Sequence, residues 1–257
     1  LDAGCREFII GIGGSATNDA GTGMAQALGV KFFRKDNSEI TELMRGGLLR
    51  DVAGIDLSGI HPAIAESQVT VACDVDNPLL GPHGCAHVYA PQKGATPEIV
   101  EQLDRDMALF IDIAEKATGH SVRDVPGAGA AGGLGAGLMA FLNAELKPGI
   151  ELVLNASDFP NRISGADVII TGEGKLDHQT AFGKTIAGVT CAARQKNIPV
   201  IALAGMIEPS PKLFEIGLLS YFSICPGPMN LVDAIQQGPE LLEDLAERVT
   251  RLYFRHL

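Results

Sequence analysis

The segment 167–184 reads DVIITGEGKLDHQTAFGK and holds the densest set of chemically useful side chains in the chain. An apolar run from Asp167 to Thr171 precedes it and has the texture of a buried strand. In open parallel sheets, ligands bind beyond the carboxyl ends of the strands. Glu173 and Asp177 could ligate Mg²⁺ or orient a hydroxyl, and Lys184 could reach a phosphate. Gln179 and Thr180 add neutral hydrogen-bonding groups. The alternative is a glycine-rich turn with solvated charges and an N-capping threonine.

A second candidate is the turn Gly13-Gly14-Ser15-Ala16-Thr17-Asn18-Asp19, which follows the apolar run Phe8 to Ile12. Strand, glycine turn, helix is an arrangement that presents backbone N–H groups to an anion. Ser15, Thr17, Asn18 and Asp19 would hold substrate or phosphate. The turn lacks the lysine of a P-loop and has Ala16 where GxGxxG needs its last glycine. The competing reading is a tight turn in which Asn18 or Asp19 caps the following helix.

Asp74-Val75-Asp76-Asn77-Pro78 forms the third cluster. Asp76 and Asn77 could bind a cation or a polyol, against an Asx turn before proline. In the fourth, Gln92 and Lys93 of Pro91-Gln92-Lys93-Gly94 offer an amide and a cation for a carboxylate or phosphate, against a solvated lysine. His83 and His87 are four apart, but Gly81-Pro82 and Gly84 argue against a helix presenting both, and no second cluster completes a zinc site. No GxSxG elbow occurs.

The elements that must position these groups follow from periodicity. Phe8 to Ile12 and Val69 to Cys73 read as strands, with a helix from Ala20 to Leu28 between them. Val88 to Ala90 reads as a short strand. Thr96 caps a helix with Pro97 at its first position, running to Thr118 with Ile99, Leu103, Met107, Phe110, Ile111 and Ala114 on one face. The glycine/alanine segment from Gly127 leads into a helix ending near Asn143. After Gly165 the texture becomes regular alternation. Strands cover 167–171, 199–204 and part of 217–225. Helices cover 182–195, 211–216 and 240–254. Continuous apolar strands separated by helices indicate a parallel sheet covered on both faces. The change of texture puts a domain boundary near residue 165, giving domains 1–165 and 166–257.

Composition sets the outer bounds. Hydrophobic residues make up 46% and charged residues 20% of the 257, which is globular. The net charge of −11, without a basic stripe, argues against nucleic-acid binding. No apolar run reaches the ~18 residues of a membrane span, and no signal peptide is read. Five cysteines without a CxxC pair read as reduced thiols of a cytoplasmic protein. Leu1 begins at what reads as the end of a helix, with no initiator methionine, and an N-terminal segment is expected to precede it.

Four stretches occur in order: GIGGSATNDAGTGMAQALG, DVDNPLLGPHGCAHVYAPQKGA, PGAGAAGGLGAG and ITGEGKLDHQTAFGK. Together they resemble the bacterial two-domain glycerate kinases across essentially the whole chain. The resemblance implies two α/β domains. One is a Rossmann- or flavodoxin-like parallel sheet, incomplete here. The other is an inserted domain with a mixed sheet. The family's opening portion, with its lysine-bearing A-P-D-S-F-K motif, does not appear.

The resemblance also implies transfer of the ATP γ-phosphoryl group to a hydroxyl of glycerate, commonly the 2-hydroxyl, with Mg²⁺, in a cleft between the domains. Positioning and charge neutralisation dominate such chemistry. Asp177 or Glu173 would ligate Mg²⁺ or activate the hydroxyl, and Lys184 would neutralise phosphoryl charge. Ser15, Thr17, Asn18 and Asp19 would hold substrate or phosphate, with Asp76, Asn77, Gln92 and Lys93 on the facing wall. The reading admits a homodimer. The alternatives are a kinase of another small hydroxy acid or polyol, and a non-catalytic nucleotide- or metabolite-binding protein.

Overall fold

The computed structural model describes residues 1–181 and 185–254, apart from the side chains of Gln179 and Ala181. It divides into two compact units, Leu1–Gly149 and Ile150–Leu257. Both are α/β.

In the first unit β1 (Glu7–Gly11), β4 (Gln68–Ala72) and β5 (Glu145–Lys147) form a parallel sheet in the order β1-β4-β5. A separate antiparallel pair joins β2 (Lys31–Phe33) to β3 (Gly54–Asp56). The unit thus contains both kinds of pairing, in different sheets. Its helices are α1 (Thr22–Ala27), α2 (Cys85–Tyr89), α3 (Pro97–Thr118) and α4 (Ala130–Leu142). Val69 and Val71 of β4 pack with Leu138 and Leu142 of α4. A larger core gathers Phe32, Met107, Phe110 and Phe141. Phe32 meets Phe110 and Phe141 at 6.2 Å between ring centroids, inside the range of favourable aromatic pairs.

Helix α3 forms as its sequence dictates. Thr96 Oγ1 accepts the Ile99 N–H, proline sits in the first turn, and Gly119 closes the helix in the left-handed region. Helix α4 departs from regularity at Ala131, Gly132 and Gly133, which all have φ between 57° and 84°. At this kink the Thr17–Asn18 backbone lies so close to Gly132 that a side chain there would collide with it.

The second unit holds β6 (Ile169–Leu176), β7 (Val200–Ile207) and β8 (Leu218–Ser223), all parallel and in that order. Its helices are α5 (Gly149–Ala156), α6 (Phe159–Arg162), α7 (Thr185–Arg194), α8 (Lys212–Glu215), α9 (Leu231–Gln236) and α10 (Gly238–Tyr253). Strand β7 shows why its sequence is continuously apolar. Val200, Ala202 and Ala204 pack toward Ile186 and Val189 of α7 and Leu213 of α8. Ile201 and Leu203 point the other way, to Leu245 and Val249 of α10. Both faces are covered, so no polar alternation survives. Among the described residues, no helix is long and apolar enough to cross a membrane.

Two local expectations change. Val88 and Tyr89 lie in α2, not a strand, since an apolar run as short as Val88–Ala90 does not distinguish the two. Strand β6 continues past Thr171 to Leu176, because Glu173 and Lys175 keep their register with Ala204 and Met206 of β7. The two compact units meet in the chain at Gly149/Ile150, and the sequence changes texture at 165. Helices α5 and α6 precede that change, yet Leu154, Phe159 and Ile163 pack into the core around β7.

Candidate active site

In the first unit β1 and β4 run parallel, with Gly11 opposite Ala72. Their carboxyl ends therefore emerge at one edge of the sheet. The loop after β1 carries Ser15, and the loop after β4 carries Asp74. Lys93 reaches the same edge from the 3-10 turn Pro91–Lys93. Its ammonium donates to Ser15 Oγ at 2.8 Å and, in a close contact, to the Thr17 carbonyl. Ser15 Oγ donates onward to the Ala131 carbonyl at 2.8 Å. The kink in α4 thus supplies the acceptor that orients Ser15, and Ser15 in turn fixes the lysine. Partial burial pulls the Lys93 amine below the usual lysine range, while Cys85 and Asp19 pull the other way.

A cleft of about 290 Å³ opens here, lined by Gly13, Gly14, Ser15, Asp74, Gln92 and Lys93 among others. Asp74 Oδ1 accepts the Gly149 N–H at 2.8 Å. Tyr89, which sequence reasoning did not single out, also lines the cleft. Its hydroxyl donates to Asn77 Oδ1 at 2.7 Å, and Asn77 Nδ2 donates to the His83 carbonyl at 3.0 Å. Asn77 therefore shapes the loop after β4, and Asp76 beside it is exposed.

Asn18 and Asp19 prove to be buried. Asn18 Nδ2 donates to the Cys85 carbonyl at 3.0 Å. The Asp19 carboxylate accepts the N–H groups of Gly21 and Gly23 at 3.1 and 3.3 Å at the start of α1. The buried Cys85 thiol is pushed up to about 12, chiefly by desolvation.

The second unit carries its own strand-end cluster. Thr180, almost fully buried, donates through Oγ1 to Glu173 Oε1 at 2.5 Å and accepts the Asp177 N–H at 3.2 Å. Lys175, also missed from sequence, pairs with Asp177 Oδ2 at 3.2 Å and with Glu208 Oε1 at 2.8 Å. Its ammonium is held above the usual lysine range, first by Glu208 and then by Asp177. Glu208 follows β7, so only the parallel pairing of β6 with β7 brings it near. Lys184 and the Gln179 side chain lie outside the described residues. Among the described residues, no three His, Cys, Asp or Glu side chains gather as a metal site. His83 lies outside α2, and His87 stands 4.0 Å from Glu101.

Fold and clusters together define an α/β protein with a glycine-rich turn and a lysine at the carboxyl edge of a parallel sheet. The chain belongs to the glycerate kinase family, whose pattern matches residues 1–254. It is 50% identical over 250 residues to a glycerate kinase of Halalkalibacterium halodurans, covering 97% of this chain and 65% of that one. It is 46% identical to the glycerate 2-kinase of Escherichia coli K12, covering 87% of this chain and 58% of the relative. A crystal structure from Salmonella typhimurium LT2, assigned as a glycerate kinase 2, superposes with a TM-score of 0.81 at 41% identity. That match covers 97% of this chain and 64% of the solved one. The chain thus spans about 65% of the length of the first of these relatives.

Proposed function

We propose that the protein phosphorylates glycerate, transferring the γ-phosphoryl group of ATP to a hydroxyl, with the 2-hydroxyl as acceptor. The observation that carries this reading is the family match over residues 1–254. The clamped lysine beside a glycine turn supports it chemically. Phosphoryl transfer asks a protein for positioning and charge neutralisation rather than covalent chemistry. Lys93 is held by two acceptors, and its remaining donor capacity can serve an incoming oxyanion. Gly13 and Gly14 add backbone N–H groups close by. Gln92 lines the same cleft, and Thr17 and Asp76 would add polar groups to the substrate's surroundings.

Glu173 and Asp177 would serve magnesium. Their hard carboxylate oxygens suit an ion that keeps most of its waters and binds through one or two carboxylates plus substrate phosphates. The ion would neutralise phosphate charge. Thr180 donates to Glu173, and Lys175 pairs with Asp177. Whichever of Asp177 and Glu173 does not serve the ion would orient or deprotonate the acceptor hydroxyl, and Lys184 would neutralise the transferring group. Such a reaction belongs in the cytoplasm, where ATP is supplied.

The test is ADP release by the complete protein with ATP and Mg²⁺, with and without D-glycerate, and with glycolate, lactate and erythronate in its place. Release that depends on glycerate supports the proposal. Equal rates with all four acids, or none with any, refute it.

A further inference from the structure

The ends of β6 and β7 are tied together twice, once by backbone and once by side chains. The two strands stay paired as far as Leu176 opposite Ile207, and the Glu208 N–H then donates to the Leu176 carbonyl at 2.8 Å. That bond fixes the backbone of Glu208 beside the start of the turn that carries Asp177. Two more bonds close the turn itself. The Thr180 N–H donates to the Asp177 carbonyl at 3.1 Å, and the Asp177 N–H donates to Thr180 Oγ1 at 3.2 Å.

Lys175 joins the side chains across this frame. Its Nζ stands 2.8 Å from Glu208 Oε1 and 3.2 Å from Asp177 Oδ2. The Asp177 side chain is 15% exposed, against 43% for Lys175 and 52% for Glu208. The bridge therefore runs from solvent inward to a carboxylate at the strand end. Folding stability does not account for it, because ion pairs this exposed contribute little. Phosphate capture does not account for it either. An ammonium shared by two carboxylates leaves a net negative group, which repels an oxyanion.

We infer that Lys175 is a positioning residue for phosphoryl transfer: Glu208 anchors its ammonium, and the ammonium sets the orientation of the Asp177 carboxylate. The inference rests on the kinase reading and adds Lys175 and Glu208 to it. A lysine with one partner keeps much of its rotamer freedom. A second partner on the neighbouring strand restricts it, and the ammonium becomes a fixed point for Asp177. Phosphoryl transfer depends on position more than on covalent help, and a misplacement of ~1 Å can cost about a hundredfold in rate.

Steady-state kinetics of the complete protein with ATP, Mg²⁺ and D-glycerate, read beside lysine ¹⁵Nζ NMR, test the assignment. Lys175→Met should lower kcat about ten- to a hundredfold, with both KM values within about twofold of the parent. Glu208→Gln should lower kcat about fivefold, the scale of one lost hydrogen bond. The double variant should be no slower than Lys175→Met alone, because Glu208 acts through the lysine. Lys175→Arg, whose fork can still span two carboxylates, should recover most of the rate. Lys175 and Glu208 are both partly exposed, so these variants keep the fold. The Lys175 ammonium resonance, identified by its loss in Lys175→Met, should shift in both Asp177→Asn and Glu208→Gln. Parental kcat in Glu208→Gln overturns the inference. So does a Lys175→Met variant with a raised KM for ATP at unchanged kcat, which would make the lysine a phosphate anchor. A Lys175 resonance indifferent to Asp177→Asn overturns it as well. A parent protein without glycerate-dependent turnover refutes the kinase reading and takes the catalytic consequence with it, while the bridge itself stands or falls on the resonance.

Discussion

Replacing Gly132 by alanine puts a methyl group where the Thr17–Asn18 backbone already sits. The added Cβ would lie 2.2 Å from the Thr17 carbonyl oxygen, 2.8 Å from Asn18 Cα and 2.9 Å from Lys93 Nζ. The lysine terminus can move away cheaply, but the two backbone atoms cannot. Gly132 also has φ +78°, and the left-handed region costs an L-residue ~1–2 kcal/mol. Forcing the backbones apart adds ~1–3 kcal/mol. The sum, about 2–5 kcal/mol, lowers Tm by about 4–20 °C for a unit of this size. Gly13→Ala is the control, because nothing lies within 4 Å of its added methyl and an open-surface change stays within about 0.5 kcal/mol. The assay is thermal unfolding of both variants beside the parent protein. If Gly132→Ala melts within about 2 °C of Gly13→Ala, the close approach of α4 to the glycine turn is wrong. The account of how Ser15 and Lys93 are positioned then fails with it.

Further expectations concern the two strand-end clusters. Burial lowers the Lys93 pKa from 10.5, so a step that needs the ammonium should lose rate as pH rises through that lowered value. A pH–rate profile whose alkaline limb is unchanged in Lys93→Arg would contradict this role. The sign for stability is opposite. The unfolded chain binds the Lys93 proton more tightly, so Lys93's unfavourable contribution is relieved as pH rises from the lowered pKa toward 10.5. Thr180→Val removes the hydrogen bonds its hydroxyl makes to Glu173 Oε1 and with the Asp177 N–H and should cost about 1–3 kcal/mol in urea unfolding, with Thr180→Ser recovering most of it. Cys5 and Cys191 are exposed, while the Cys85 thiol is pushed up to about 12. An aromatic disulfide reagent at neutral pH should modify the first two in the native protein and Cys85 only after unfolding.

Much of the scaffold was legible where local rules decide it. Thr96, Pro97 and the 3.6-residue spacing of Met107, Phe110, Ile111 and Ala114 specify α3 end to end. The apolar run at Val200 to Ala204 announces a strand covered on both faces. Legibility fails where distant residues decide. Nothing local tells Val88 that it sits in a helix, or β6 that it continues to Leu176 through its pairing with β7. The left-handed run Ala131 to Gly133 meets the distant Thr17–Asn18 backbone at Gly132, a contact no local rule announces. The same holds for the candidate sites. Ser15 and Lys93 were visible as polar groups in glycine turns, but the bond between them spans the unit. Asp19 was ambiguous in sequence, and only the fold shows its carboxylate accepting the amides of Gly21 and Gly23. Lys175 and Tyr89 carry no motif of their own, and their partners Glu208 and Asn77 identify them only in three dimensions.

The central claim is phosphorylation of glycerate. Proton-coupled phosphorus NMR of the product formed by the complete protein from ATP, Mg²⁺ and D-glycerate tests it most directly. Phosphorus on the 2-oxygen couples to the lone proton at C2, and phosphorus on the 3-oxygen couples to the pair at C3. The account predicts a new phosphomonoester doublet that grows as ATP is consumed. A triplet would keep the kinase and move the acceptor hydroxyl. Folded complete protein that yields no phosphoglycerate resonance would contradict the account.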